Sequence, residues 1–338
     1  MLRGKELSSR CGKSLNLAQD HISMGGKGTG PDCFRKGIDM RVKLSGREWS
    51  KKIQDYISSM PGFSDTVVKA LEICNDPNTS PVDLNRVISI DPVLTGRILR
   101  LVNSTFYSLP KKVTSVTRAI VMLGLNNVKN LILGISVLEN FGRERTFGTR
   151  SAREFWSHSI GVGVIAKFLA SLKGVAPEER EEYFVAGLLH DIGKIPMSSR
   201  FPKKYLRALR LAEGGKIPLY RAETMTFGLD HCTVGRMIGE SWRLGETLTD
   251  ALCSHHDRER IEKQDSDLLA VVSLADAYIK TLMIGFSGDC FHEGCTTGDL
   301  ERLVGVEGSV LEGLKEMVIA EVEKAKVFLG AVEKGEIR

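Results

Sequence analysis

From Arg47 onward, apolar residues recur at spacings of three and four, the period of a helix that buries one face. Ile53, Tyr56 and Ile57 form one stripe, and Val67, Val68, Leu71 and Cys74 form a second that ends at Asn75-Asp76-Pro77. Ser80-Pro81-Val82-Asp83 reads as a helix start. Its capping hydroxyl, proline in the first turn and early acid each match the unpaired N–H groups found there. Asp91-Pro92 repeats the signal ahead of Val93, Leu94, Ile98, Leu99 and Val102, and Phe106-Tyr107-Ser108-Leu109-Pro110 breaks that helix with a loop whose two aromatics are expected to pack on neighbours. Two further helices are predicted over 114–123 and 126–141, parted at Gly124; the second is apolar nearly all round, as a central core helix would be.

Past a polar, glycine-containing stretch at 142–151 the helical period resumes. It predicts helices near 152–172, 178–194, 202–213, 218–226, 230–242, 245–256, 265–284, 297–305 and 307–332. No run alternates with period two, so the expected fold class is all-α, two packed helical units. The expected organisation is a disordered tail over 1–46, a first helical unit over 47–141, a second over 152–284, and a C-terminal loop with helices over 285–338.

A chain of 338 residues with 42% hydrophobic and 26% charged positions has the balance of a folded protein, which excludes a wholly disordered or collagenous chain. The net charge of +5 is too small to imply nucleic acid unless clustered, and no stripe of interleaved basic and aromatic residues accompanies it. Nucleic acid is therefore not an expected partner. The most apolar run, Leu131 to Leu138, is far short of a bilayer span, and no apolar segment follows the basic residues of the first ten, so no membrane partner and a cytoplasmic location are expected. Seven cysteines without CxxC spacing fit reduced thiols. Gly25 to Gly30 lacks the Gly-Lys-Ser/Thr ending of a phosphate loop, and Cys290, His292 and Cys295 lack a nearby fourth zinc ligand.

Chemistry concentrates in the second unit. Glu154 and His158 stand four apart on one helix and so share a face. Within Leu188-Leu189-His190-Asp191-Ile192-Gly193-Lys194 a histidine and an aspartate interrupt an apolar helix, where unpaired polar groups are costly, and Lys194 can reach both. Asp230-His231, His255-His256 and an aspartate inside Leu274-Ala275-Asp276-Ala277 follow. Imidazoles and carboxylates in this mixture suit Fe, Mn, Zn or Ni, as one ion or two.

The His158, His190-Asp191 and Asp276 pattern resembles the signature of the HD superfamily of metal-dependent phosphohydrolases. Together with Phe155-Trp156-Ser157-His158-Ser159 and the segment from Ile90-Asp91-Pro92 to Pro110, it resembles an HDOD domain over about residues 55 to 280. The resemblance implies an HD-type helical bundle in the C-terminal unit and a bacterial signalling role. Ligands similar to those of HD-GYP phosphodiesterases are also present in order: Glu154, His158, His190, Asp191, His231, His255, His256 and Asp276 as metal ligands, with Asp191 and Lys194 as the residues that would carry catalysis. Asp257-Arg258-Glu259-Arg260-Ile261 stands where a Gly-Tyr-Pro segment would follow the histidine pair. The expectation is an HDOD signal-transduction protein acting through a partner protein, with a metal-dependent phosphohydrolase acting on a phosphoester as the alternative.

Overall fold

The computed structural model describes residues 46–329 apart from 60–62, 77, 142–145, 148–149, 264–266, 290, 292–295, 314 and 328. The expected tail up to residue 45 and the Cys290, His292, Cys295 loop residues lie outside the described residues.

The first part of the chain is built from α1 (Gly46–Ser59), α2 (Asp65–Cys74), α3 (Pro81–Ile88), α4 (Pro92–Val102), α5 (Val116–Leu123) and α6 (Leu125–Phe141). Both expected helix starts form. Ser80 and Asp83 make a reciprocal capping box, and the Asp91 carboxylate accepts from the amides of Val93 and Leu94 at 3.0 and 2.9 Å. Helix α6 is buried through most of its length, as its apolar circumference predicts.

A two-residue antiparallel pair, β1 (Thr146–Phe147) with β2 (Arg150–Ser151), leads into α7 (Ala152–Leu172), α8 (Arg180–Leu189), α9 (Lys194–Arg200), α10 (Pro202–Gly215), α11 (Leu219–Phe227), α12 (His231–Ser241), α13 (Glu246–Ser254), α14 (Arg258–Lys263) and α15 (Asp267–Leu282). Helices α16 (Thr297–Val304), α17 (Gly308–Gly313) and α18 (Lys315–Ala325) complete the described chain. The fold is all-α, this short ribbon aside.

One helix prediction needs correction. The segment 178–194 is not continuous: α8 ends at Leu189, and His190 to Gly193 form a tight turn held by the amide of Ile192 on the Leu189 carbonyl at 2.8 Å and that of Lys194 on the Asp191 carbonyl at 2.9 Å. Pro196 supplies a reason, since it has no N–H for the Ile192 carbonyl and is tolerated only in the first turn of a new helix. The histidine and aspartate therefore sit at a helix junction rather than inside a helix.

Helices α7, α8 and α15 pack together at the centre. Buried apolar residues form one continuous cluster from Ile53 to Leu329, joining the first helices to the later ones. The aromatic loop takes part as expected: Phe106 meets Phe184 at 5.4 Å, and the Lys167 ammonium lies over Phe106 and Tyr107 while pairing with Glu181. Helix α7 is long and apolar enough to cross a membrane, with an 18-residue window of mean hydropathy 1.3. However, 72% of that window is buried within the protein, which accounts for its composition as that of a core helix.

Candidate metal centre

Five segments converge on one buried site. Helix α7 carries His158 and the turn after α8 carries His190 and Asp191; α12 opens on His231, α13 ends just before His255 and His256, and α15 carries Asp276. His158, His190, Asp191, Lys194, His231, His255 and Asp276 are all between 0 and 4% exposed, and His256 is half-buried.

The geometry has two lobes that share Asp191. On one side, His158 Nε2 lies 3.1 Å from Asp276 Oδ1 and 3.9 Å from Asp191 Oδ2, while His190 Nε2 lies 3.3 Å from Asp191 Oδ2 and 3.6 Å from Asp276 Oδ1. On the other, Asp191 Oδ1 faces His231 Nε2 at 3.4 Å and His255 Nε2 at 3.6 Å. The ring of His256 lies against those of His231 and His255, and its Nε2 is 3.8 Å from Asp289. Glu154 is half-buried on the first turn of α7 and stands outside the three close groups of donor atoms formed by the described residues. Its backbone carbonyl accepts from Phe286 at 2.9 Å.

Neighbouring atoms set which imidazole nitrogen points inward. Nδ1 of His190 faces the Gly187 carbonyl at 2.8 Å, Nδ1 of His255 faces the Ala251 carbonyl at 3.0 Å, and Nδ1 of His231 faces Glu223 Oε2 at 2.6 Å. In the neutral ring each Nδ1 can donate its proton outward, leaving the Nε2 lone pair for the interior. The Nε2 atoms of His158, His190, His231, His255 and His256, with Asp191 Oδ1 and Asp276 Oδ1, are buried without a hydrogen-bond partner. Burying so many uncompensated polar atoms is costly, and their nitrogen and oxygen chemistry fits a transition-metal ion.

Charge is arranged in the same sense. Burial opposes ionisation of Asp191 and Asp276, but His190 and Lys194 beside the first and Lys280 beside the second hold both carboxyls well below the usual range. Lys194 Nζ donates to Asp191 Oδ2 at 2.7 Å, and Lys280 Nζ to Asp276 Oδ2 at 2.6 Å and to Asp289 Oδ2 at 3.1 Å. Burial lowers His158, takes His255 down to about 4 and, with His255 and His231 adjacent, pushes His256 well down, leaving these rings neutral. Burial would also lower His190, but Asp191 and Asp276 raise it to about 9.

Sequence reasoning missed Glu223, Lys280 and Asp289. Glu223 occupies the same face of α11 as the buried Leu219, Ala222 and Phe227, so an acid within an apolar stripe was its signal. Lys280 stands one helical turn after Asp276 on α15 and pairs with it as Lys194 pairs with Asp191. Asp289 had no such periodic signal because it lies in a loop. Gly285 in that loop has φ +68°, and a Cβ there would strike the backbone of Glu154 and His158. The loop can thus press against α7 beside a candidate ligand.

Fold and site together define a helical protein with a histidine–aspartate centre. Residues 60–258 match the HDOD domain family, and the chain belongs to that family. It resembles an HDOD domain protein of unknown function from Geobacter sulfurreducens, with 26% identity, 85% of this chain and 98% of that one covered, and a TM-score of 0.63. The fold is shared with a candidate signal-transduction protein from Marinobacter aquaeolei VT8, at 17% identity and TM-score 0.65, over 97% of this chain and 66% of that one. An uncharacterized protein of Treponema pallidum (strain Nichols) is 22% identical over 247 residues, 72% of this chain; the chain spans about half, 47%, of that relative's length.

Proposed function

We propose that this HDOD protein is a signal-transduction module of bacterial type that holds one or two transition-metal ions, Fe, Mn, Zn or Ni, and acts on a partner protein. The observation that carries the metal reading is the set of inward Nε2 and carboxylate atoms buried without hydrogen-bond partners. His158, His190, Asp276 and Asp191 Oδ2 would hold one ion, and His231, His255, His256 and Asp191 Oδ1 a second. A bound ion would supply Lewis acidity and positive charge to the pocket. The chain's own residues do the positioning: Lys194 fixes one Asp191 oxygen, and Lys280 ties Asp276 to Asp289. A regulatory output is favoured over turnover because Asp257-Arg258-Glu259-Arg260-Ile261 stands where a Gly-Tyr-Pro segment would follow the histidine pair.

Protein purified anaerobically, with reductant and without chelator, is expected to contain near-stoichiometric metal, lost in the His190→Ala, Asp191→Ala double variant. Metal-free wild type overturns the reading.

The buried Lys194–Asp191 pair in a two-lobed donor set favours a second reading, hydrolysis of a phosphoester, because an ammonium beside a metal centre can stabilise phosphoryl oxygens. Nucleotides, cyclic dinucleotides and a chromogenic phosphodiester assayed with Mn and Fe separate the two. Turnover that vanishes in Asp191→Asn supports the enzyme; no turnover, with specific partner capture, supports the module.

A further inference from the structure

His231 is followed by a cysteine, and α12 presents both residues from its first turn. The turn is fixed from outside, because Asp230 caps the helix by accepting from the Thr233 amide and hydroxyl, each at 2.8 Å. It is fixed from inside as well, because Gly193 packs on the His231 carbonyl and the Gly235 amide. Donor atoms of His231, Cys232, His255 and His256 all lie within 4.8 Å of one another, a spread that small side-chain adjustments can close around one ion. Cys232 is 8% exposed, and the Nε2 atoms of the three histidines are buried without partners. The sulfur is therefore part of a four-donor cluster rather than an isolated buried thiol.

The two lobes differ in chemistry. One combines His158 and His190 with carboxylate oxygens of Asp191 and Asp276, a harder set open to Mn²⁺ as well as Fe²⁺ or Zn²⁺. The other is rich in imidazole and adjoins a sulfur. A thiolate among imidazoles favours ions that accept soft donors.

We propose that Cys232 is a metal ligand that joins His231, His255, His256 and Asp191 Oδ1, adding a sulfur that makes this position selective for Zn²⁺, Fe²⁺ or Co²⁺ over Mn²⁺ and Mg²⁺. The proposal rests on the metal reading above and adds to it the identity of a ligand and the class of ion. On coordination a sulfur–metal bond replaces the S–H bond, the proton leaves to solvent, and no electron is transferred.

The test uses the full chain loaded anaerobically with Co²⁺, which reports its ligands by absorption. Wild type, Cys74→Ser and Cys253→Ser are expected to show a sulfur-to-cobalt charge-transfer band in the near ultraviolet beside the visible ligand-field bands. In Cys232→Ser the charge-transfer band is lost, whether cobalt uptake stays the same or falls by one equivalent. X-ray absorption of the zinc-loaded protein checks this independently: wild type should show a sulfur neighbour at about 2.3 Å that Cys232→Ser lacks. Ligand-field bands without charge transfer in wild type, or a charge-transfer band that survives in Cys232→Ser, overturns the Cys232 assignment and leaves the metal centre standing. No uptake of cobalt or zinc by wild type overturns the metal reading itself.

Discussion

Glu223 makes two contacts with one residue. Its Oε2 accepts from the His231 amide at 2.9 Å and faces the ring Nδ1 at 2.6 Å, so one carboxylate sets both the start of α12 and the direction of the imidazole lone pair. Replacing it by Gln keeps the shape but weakens the anchor, and outer partners of this kind are worth about 10- to 100-fold in metal affinity. Glu223→Gln is therefore expected to weaken metal binding by that order in a chelator-competition titration while its circular dichroism stays that of wild type. Unchanged affinity would show that His231 needs no help in orientation. Cys232 and Glu223 thus touch the same lobe by different routes, one through the proposed bond and one through its neighbour.

At the scale of elements, the centre depends on a junction. The turn between α8 and α9 carries His190 and Asp191, and it can lie against α12 only because residue 193 lacks a side chain. A Cβ there would run into the His231 carbonyl oxygen and the Gly235 amide nitrogen, neither of which can swing away as a side chain could. Gly193→Ala should push the turn and α12 apart, lowering the midpoint of urea unfolding and releasing metal together. Gly96→Ala, where nothing lies within 4 Å of the added carbon on an exposed face of α4, is the matching control and should do neither. Equal effects of the two substitutions would refute this account of the junction.

For the molecule as a whole, one continuous apolar core couples the first helices to those that carry the centre, so local burial is reflected in global stability. Cys74, on α2 far along the chain from the centre, offers a measure of this. Burial pushes its thiol up to about 11, with Lys129 opposing weakly, against 9.0 for the free group. A pKa raised in the folded state means the folded chain holds the proton more firmly. The resulting stability is complete below about pH 9 and is lost as pH rises through about 11. Wild type should lose more unfolding free energy between pH 8.5 and 10.5 than Cys74→Ala, when each is compared with its own value at the lower pH. Parallel slopes would contradict it.

Much of this architecture was legible in the sequence, for a definable reason. Helical periods, the Ser80 and Asp91 caps and the all-round apolar character of α6 are local properties, and each reports itself within one or two turns of chain. The His158, His190-Asp191, His231, His255-His256 and Asp276 positions were also visible, because polar groups in apolar surroundings stand out wherever they fall. What could not be read locally is which atoms face one another. The break at His190, the sharing of Asp191 between two lobes, the anchoring of His231 by Glu223 and the approach of Cys232 to the histidine pair all join residues from separate helices. The chain alone determined which helices form and which side chains had to be compensated. Only tertiary packing decided with what, because the distances between those atoms are set by how α7, α8, α12 and α15 meet.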